Sequence, residues 1–307
     1  MQNNKNRIEY IDLFKGIGIV IMIMGHIGFP KSFNIIKASF NMPMFFFISG
    51  FLLKEYDSLN FIRRKFKALI LPYLEFGLFN FVMCLFLVDN FKVGRYFERF
   101  FFFNNHKALD ICGALWFFTA LFFVNIIYYF LHKYLQKKYL LIVITAIVTI
   151  EAFYKIRLPF SIDSAIYMLP VFLIGYEFKK YYKTLDNLKL KTLLYIISIA
   201  TIPLVLYNHA SGVRTHHFHN LFIYYPCMLI DCISIFYLSK DCVNLFGSKL
   251  IIYIGKNSLN YMCLNQLIIL LLNRLGVIND FMCLLFTLLS LYLCNECLNR
   301  IPSILKN

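Results

Sequence analysis

Charged residues are scarce in this chain. Only 15% of its 307 residues are Asp, Glu, Lys or Arg, whereas 60% are hydrophobic, and the mean hydropathy is +0.66. Soluble globular domains average about 25% charged residues, so this composition excludes a soluble domain of this length. The sequence instead predicts an all-α, polytopic membrane helix bundle.

Signals of several other protein classes are also missing. No small-residue cleavage site follows the first apolar segment, so we expect that segment to remain as a helix and not to be removed as a signal peptide. Most of the nine cysteines lie in apolar stretches, and the isolated Cys294–Cys297 pair is too small a ligand set for zinc or redox chemistry. No repeat, low-complexity tract or soluble domain is visible. We therefore expect a single membrane domain over residues 1–307, without a metal.

Long apolar windows, in contrast, run through the whole chain. A helix needs about 20 apolar residues to span a bilayer, and the sequence offers about ten such windows, of which the second, fifth and sixth are short. They lie at residues 11–29, 38–53, 69–88, 113–131, 139–154, 163–178, 191–208, 219–238, 257–274 and 280–298.

The net charge of +15 could indicate nucleic-acid binding, but the distribution of basic residues indicates membrane topology instead. If the N-terminus is cytoplasmic, 21 of the 31 Lys and Arg residues lie in inner segments. This bias follows the positive-inside rule and predicts cytoplasmic termini, with no nucleic-acid partner. The loop over residues 89–112 is the exception, because its four basic residues face outward. Either this loop binds an acidic partner or the third span is misplaced.

The first apolar window contains two residues that can carry charge, Lys15 and His26. Eleven helical steps amount to three turns plus about 20°, with a rise of roughly 16 Å, so both side chains lie on one face but cannot touch. Such groups are costly inside a span and indicate function; here they would serve opposite ends of one path. Alternatively, Lys15 snorkels to the inner interface and His26 is a tolerated polar residue at the outer one. Asp12 is placed to form an ion pair with Lys15.

A basic run, Arg63, Arg64, Lys65 and Lys67, precedes Pro72 on the predicted inner side. The positive-inside rule alone explains it. Its functional interpretation is an anion site, because Arg and Lys bind phosphates through charge-assisted hydrogen bonds. A phosphate-bearing cytosolic donor such as coenzyme A would suit such a site.

Four histidines, His209, His216, His217 and His219, crowd one predicted outer loop together with Arg214. No Cys, Asp or Glu in the loop completes a metal ligand set, so contact with an acceptor headgroup or sugar, or plain solvation, explains them better.

Carboxylates also lie within the apolar windows and need partners or water there. In a transporter they would be coupling residues, and in an enzyme they would line an acceptor cleft or pair with Arg and Lys. They are Glu75, Glu151, Asp231 and Glu296.

Further segments complete the pattern: Met42-Pro43 with Ser49-Gly50-Phe51, Pro72-Tyr73 after the basic run, Leu115-Trp116-Phe117-Phe118, Phe172 to Gly175 before Lys179, and Ile254 to Leu259. Together with Arg7 through Lys15 to His26, they resemble the integral-membrane acyltransferase family three, which includes bacterial polysaccharide O-acetyltransferases. The resemblance runs over nearly the whole chain. Its most specific parts are the helix-one pair and the Ser-Gly-Phe run.

The resemblance implies a bundle of about ten helices in the bacterial cytoplasmic membrane. It also implies that the protein is an enzyme that moves an acyl group, usually acetyl, from cytosolic acetyl-CoA to a hydroxyl of an envelope or exported polysaccharide. Its partners would be the lipid bilayer, a glycan or glycolipid acceptor and glycan-assembly proteins. The expected site residues are His26 and Lys15 for catalysis, Arg63, Arg64 and Lys67 for the acetyl-CoA co-substrate, and Trp116 and Ser49 for substrate. Where relatives commonly carry a ninth-helix histidine, this chain has Asn265.

Two mechanisms and two rival functions stay open at this point. His26 could act as a general base on the acceptor hydroxyl or as a nucleophile that forms an acyl-imidazole. The rivals are a flippase, polymerase or transporter of lipid-linked glycans, and an acyltransferase acting on a lipid or metabolite. The transporter class is disfavoured because no inverted repeat with broken helices is evident.

Overall fold

The computed structural model describes residues 8–304 apart from 55, 56, 106, 108, 155, 210, 211, 217 and 218. Regular structure in this part of the chain is helical, which confirms the all-α prediction. The α-helices are α1 (Glu9–Ile27), α2 (Lys31–Phe51), α3 (Ser58–Lys65), α4 (Leu71–Leu87), α5 (Val93–Phe101), α6 (Trp116–Tyr134), α7 (Lys137–Tyr154), α8 (Ile162–Tyr181), α9 (Leu188–Ala200), α10 (Ile202–Asn208), α11 (Leu221–Cys242), α12 (Ser248–Lys256), α13 (Ser258–Arg274) and α14 (Asp280–Ile304).

Seven helical stretches of the described chain are long and apolar enough to cross a membrane: Glu9–Ile27, Ser58–Leu87, Gly113–Tyr134, Pro159–Tyr181, Leu188–Asn208, Leu221–Cys242 and Asp280–Leu298. The windows predicted at 38–53, 139–154 and 257–274 also form helices, α2, α7 and α13, but they do not meet this length and hydropathy standard. The multi-pass helical character is therefore supported, whereas the number of ten spans and the cytoplasmic termini stay predictions.

Two pairs of glycines allow helices to pack backbone against backbone. A Cβ at Gly50 of α2 would overlap the carbonyl oxygen of Phe172 in α8, and one at Gly175 would overlap that of Phe47. Likewise, a Cβ at Gly16 of α1 would overlap Ile251 O, and one at Gly255 of α12 would overlap Asp12 O. Small residues at helix crossings are how membrane helices approach closely. The glycines of the Ser-Gly-Phe run and of the Phe172–Gly175 run therefore lie at the same crossing, between α2 and α8.

Aromatic rings fill the space between these crossings. Phe236 of α11 is fully buried and lies 5.1 Å from Phe51, 5.2 Å from Phe178 and 6.2 Å from Phe14, measured between ring centroids. Edge-on and tilted pairs at such distances are favourable ring geometries. At the periphery, only 11% of the Leu188–Asn208 window is buried, against 61% of Pro159–Tyr181. We infer that α9 and α10 face lipid and that α8 is central.

The third predicted span starts earlier than its window suggested. α3 continues through a π-helical segment, Phe66–Ile70, into α4, and Leu71 N–H donates to Phe66 O, five residues back. Pro72 has no N–H to contribute to the regular ladder, so a wider turn at this place relieves the conflict. The basic run therefore lies on a helix continuous with the span, and the π turn resets which side chains share a face.

The basic loop over residues 89–112 is a folded cap. Its helix α5 is tied down by Tyr96, whose hydroxyl donates to Gly77 O over 2.7 Å, and by the ring of Phe100 stacked on Tyr73 at 4.5 Å. Arg99 pairs with Asp110 at 3.1 Å. This ion pair offsets part of the positive charge that appeared to violate the positive-inside rule.

Candidate functional site

A cavity of about 300 Å³ opens at the C-terminal end of α1, beside His26. We call it the His26 cavity. Its charged and polar lining consists of His26, Lys37, Asn41, Arg214 and Gln266, together with the chain's one tryptophan, Trp116. The imidazole is exposed to this space, whereas Trp116 is only 4% exposed. A histidine facing a water-accessible cavity is available for proton transfer.

Gln266 of α13 holds the ring of His26. Its amide nitrogen lies 3.0 Å from His26 Nδ1, and its carbonyl oxygen accepts a hydrogen bond from Gly113 N–H over 2.5 Å. Because a backbone N–H can only donate, the carbonyl side of the amide must face Gly113 and the NH₂ side must face the imidazole. Nδ1 therefore accepts, and only the neutral ring can do so.

A second cavity, of about 280 Å³, adjoins Lys15. We call it the Lys15 cavity. Its polar lining comprises Lys15, Ser49, Lys65 and Ser258, and the rest is apolar, including Phe117 and Met262. Lys15 Nζ lies 3.9 Å from Asp12 Oδ1, the ion pair that the sequence predicted. Such a pair lowers the cost of placing the ammonium group at the membrane edge.

The two cavities lie end to end between the same four helices, α1, α2, α6 and α13. Along α1 the lining residues are Lys15 and Ile19 in one cavity and Met22 and His26 in the other. On each of the other helices the lining also passes from one cavity to the other, with Phe45 and Asn41 on α2, Phe117 and Trp116 on α6, and Met262 and Gln266 on α13. The pairs Ile19 and Met22, Phe45 and Asn41, and Met262 and Gln266 are three or four residues apart, so each lies on one helix face about one turn, or about 5.4 Å, further along. Trp116 and Phe117 are adjacent, so their side chains point in different directions from α6.

A hydrogen bond and packed rings lie at the boundary between the two cavities. Asn41 Nδ2 donates to Gly18 O over 2.7 Å, which joins α2 to α1 at this level. The ring of Phe45 fits against Gly18, where a Cβ would come within 2.8 Å of it, and lies 5.8 Å from the ring of Phe117. Lys15 and His26 thus line successive cavities along α1, in the order that their spacing in the sequence predicted; that the two cavities form one path stays a prediction.

A further cavity, of about 640 Å³, lies on the other side of Lys15 and shares Lys15 and Leu52 with the Lys15 cavity. Four more lysines line it, namely Lys54, Lys179, Lys180 and Lys183, with Asp12 as its acidic lining residue. We call it the lysine cavity. Sequence reasoning missed this cluster because its lysines come from two segments distant in the chain, the one after α2 and the one at the end of α8.

The predicted donor-binding residues Arg63, Arg64 and Lys67 are all exposed on the helical segment before Pro72. The described lining of the three cavities does not include them. Lys65, which lies between them, is half-buried and lines the Lys15 cavity. Lys65 and Lys67 are two residues apart, so their side chains leave the helix in different directions. The assignment of the three predicted residues to the donor stays a prediction.

The two predicted substrate residues fall into different chambers. Trp116 lines the His26 cavity and Ser49 lines the Lys15 cavity. Ser49 Oγ accepts a hydrogen bond from Asn125 Nδ2 at 3.2 Å, which orients the hydroxyl. Asn265, where relatives have a histidine, points its amide back to Tyr261 O and Met262 O and is buried.

One histidine of the histidine-rich loop, His216, is tied to the helix bundle. His216 Nε2 lies 2.9 Å from Ser164 Oγ, and its Nδ1 lies 3.9 Å from Asp163 Oδ2. Ser164 and Asp163 are fully buried at the start of α8, so this group fastens the loop to the bundle. Arg214, two residues earlier, reaches the His26 cavity. Within the described chain no group of three metal-ligating side chains occurs; His217 lies outside the described residues.

The carboxylates of the apolar windows are not gathered at the cavities. Asp231 accepts hydrogen bonds from Ser198 at 2.5 Å and Ser39 at 3.4 Å, and Glu296 accepts one from Tyr253. Glu75 is exposed, and the side chain of Glu151 lies outside the described part. Asp231 and Glu296 thus hydrogen-bond residues of neighbouring helices, and no carboxylate of the apolar windows is among the described lining residues of the Lys15 and His26 cavities.

Comparison with protein families decides the class. The acyltransferase domain of acyltransferase family three matches residues 8–304, nearly the whole chain. The chain belongs to acyltransferase family three. Comparisons with curated proteins and with solved structures find no match.

Membership of this family agrees with where the motif residues lie. Helix-one residues Lys15 and His26, the Trp116-Phe117-Phe118 run and Ser258-Leu259 all line the two chambers. Lys37, Arg214 and Gln266 also line the His26 cavity, but sequence reasoning placed none of them beside His26. Each is a single polar residue on a separate element, and only the tertiary packing brings the three together.

Proposed function

We propose that this family-three acyltransferase moves an acetyl group from cytosolic acetyl-CoA to a hydroxyl of an envelope or exported glycan, in the bacterial cytoplasmic membrane. One observation carries the proposal: the Lys15 and His26 chambers lie in series between the same four helices. A path with a cation at one end and an imidazole at the other suits a donor and an acceptor that approach from opposite sides of a membrane.

The donor binds on the Lys15 side. Its phosphates are held by the basic groups there, with Arg63, Arg64 and Lys67 on the helix surface and Lys65 in the chamber wall. Lysine and arginine bind phosphate through charge-assisted hydrogen bonds. The narrow, mostly apolar Lys15 cavity accommodates the pantetheine arm, which carries the thioester towards His26.

The acceptor binds on the His26 side. His26 takes the proton from the acceptor hydroxyl as its oxygen attacks the thioester carbonyl, and the thiolate of coenzyme A leaves; the variant is attack by the ring itself. Both routes need a neutral imidazole with a free lone pair. The hydrogen bond from Gln266 favours the neutral ring, because a protonated ring could not accept it. It also occupies the lone pair of Nδ1 and leaves the proton on Nε2, so the acceptor hydroxyl has to displace the Gln266 amide from Nδ1 before His26 can act.

Deletion of the gene, followed by complementation with the wild-type chain, tests the reaction. Acetyl esters in extracted surface glycan are measured by proton NMR. Loss on deletion and recovery on complementation would support the proposal. An unchanged acetyl content of glycans, with acyl transfer to a lipid or metabolite instead, would reassign the acceptor.

A further inference from the structure

The His26 cavity has an unusual charge balance. Besides His26, two cationic side chains, Lys37 and Arg214, line it, whereas none of its lining residues in the described chain is an Asp or Glu. The lysine cavity differs, because Asp12 lies among its cations. A chamber where the acceptor would react is thus electropositive without an internal counter-charge.

Lys37 is held inside this chamber. Its side chain lies along α1 at Gly25, where a Cβ would overlap Nζ and come within 2.6 Å of Cε. The residue is half-buried, and no described residue forms a hydrogen bond or ion pair with its ammonium group. The glycine next to His26 therefore makes room for a cation that the fold itself does not neutralise.

Arg214 reaches the chamber from the loop fastened by His216. Its one hydrogen bond to a described residue is a long one, 3.5 Å from Nη1 to Asn105 O, so the guanidinium retains most of its donors. Burial lowers the pKa of Arg214, yet arginine stays protonated in proteins at neutral pH. Its planar fork suits a carboxylate or a phosphate, which it can bind through two parallel hydrogen bonds.

Half-buried cations without a carboxylate partner are costly, and in a membrane protein they indicate a functional site. We propose that the His26 cavity selects an acceptor sugar that carries a carboxylate or a phosphate near its reacting hydroxyl, with Lys37 and Arg214 binding that anionic group. The inference rests on the proposed acyl transfer and specifies its acceptor. The anionic group, once bound, fixes the sugar so that the hydroxyl faces His26.

Trp116 gives a direct measurement of binding, because it is the chain's one tryptophan and lines this cavity. The full-length protein in lipid nanodiscs is titrated at constant ionic strength with glucuronate, glucose 6-phosphate and methyl glucoside while Trp116 fluorescence is followed. We expect a saturable change with at least one of the two anionic sugars and none with methyl glucoside. Which anion responds identifies the carboxylate or the phosphate as the preferred group.

Variants assign the response to the two cations. Lys37→Met and Arg214→Gln should each weaken the apparent affinity about tenfold or more, the scale of one lost charge-assisted hydrogen bond. Lys31→Met is the matched control, an exposed lysine at the start of the same helix α2, and should bind as the wild type does. Gly25→Ala should also weaken binding, because it displaces the Lys37 side chain while the charge remains.

Three results would overturn the inference: equal responses to neutral and anionic sugars, no response to either anionic sugar, or anion binding unaffected by all three cavity variants. A response to coenzyme A alone that is lost in Lys37→Met would also overturn it, since the cations would then serve the donor.

The binding test needs no turnover. Anionic-sugar binding without glycan acetylation in vivo would therefore refute the proposed reaction alone, and acetylation of neutral glycans without such binding would refute the acceptor class alone.

Discussion

Gln266 donates a hydrogen bond to Nδ1 of His26 across 3.0 Å while its own carbonyl oxygen is fixed by Gly113 N–H. The amide of Gln266, on α13, thus links Gly113, just before α6, to His26 near the end of α1. It thereby sets both the orientation of the imidazole and the nitrogen that carries the lone pair. The amide orients the imidazole before any substrate binds, and in the proposed reaction the acceptor hydroxyl displaces it from the Nδ1 lone pair.

Gln266→Leu should lower the maximal rate of acetyl transfer roughly tenfold, while the Michaelis constant for acetyl-CoA changes little, because the donor binds in the other chamber. Steady-state kinetics on the purified protein in nanodiscs measure both constants. Asn273→Leu, an exposed amide on the same helix α13, is the control and should behave as wild type. Wild-type rates for Gln266→Leu, with an unchanged melting temperature, would show that the amide does not position His26.

The basic run should govern donor binding. Arg64→Ala and Lys65→Met should each raise the apparent Michaelis constant for acetyl-CoA more than they lower the maximal rate, as loss of uniform binding does. Lys249→Ala, an exposed lysine of α12, serves as control. If both variants retain wild-type donor dependence while folded, the run is a topology signal and nothing more.

The close crossing of α2 and α8 should tolerate no side chain at Gly50. Gly50→Ala places a methyl group on the carbonyl oxygen of Phe172, and we expect a loss of about 1–3 kcal/mol in stability, typical of overpacking. The melting temperature in detergent measures it. Gly94→Ala is the matched control, since a Cβ at Gly94 meets no atom within 4 Å. Equal melting temperatures for the two variants would contradict the observed close contact.

Cysteine labelling should establish the orientation of the bundle. In a background with Cys294 and Cys297, the two exposed cysteines, changed to serine, His219→Cys should react with a membrane-impermeant maleimide in intact cells. Lys249→Cys should react only after permeabilisation, because its segment is predicted to be cytoplasmic. The reverse pattern would invert the topology and place the donor chamber outside.

Much of the fold follows from the sequence because burial in a bilayer requires long apolar helices. The relation of Lys15 to His26 was predictable for the same reason, since helical geometry fixes the positions of residues on one element. What sequence could not predict are the features that depend on how different elements meet. Lys37 and Arg214 are 177 positions apart, yet line one cavity.

The basic run shows a local failure of helical extrapolation. Regular geometry treats Arg64 and Lys67 as neighbours on one face, three residues apart. The π segment begins at Phe66, between these two residues; both are exposed, whereas Lys65 lines the Lys15 cavity. Pro72 signalled a disturbance in the sequence, but its effect lies before the proline, in the turn whose hydrogen bond it fails to supply.

The most direct test of the account is the acetyl ester content of surface glycan in a deletion strain that carries His26→Gln. Glutamine retains polarity and hydrogen bonding but cannot accept a proton at neutral pH, so acetylation should fall roughly a hundredfold or more with expression and membrane insertion intact. His219→Gln, an exposed histidine outside the described lining of the His26 cavity, should retain wild-type acetylation. Near wild-type acetylation by His26→Gln would contradict both catalytic roles and leave His26 with a structural part.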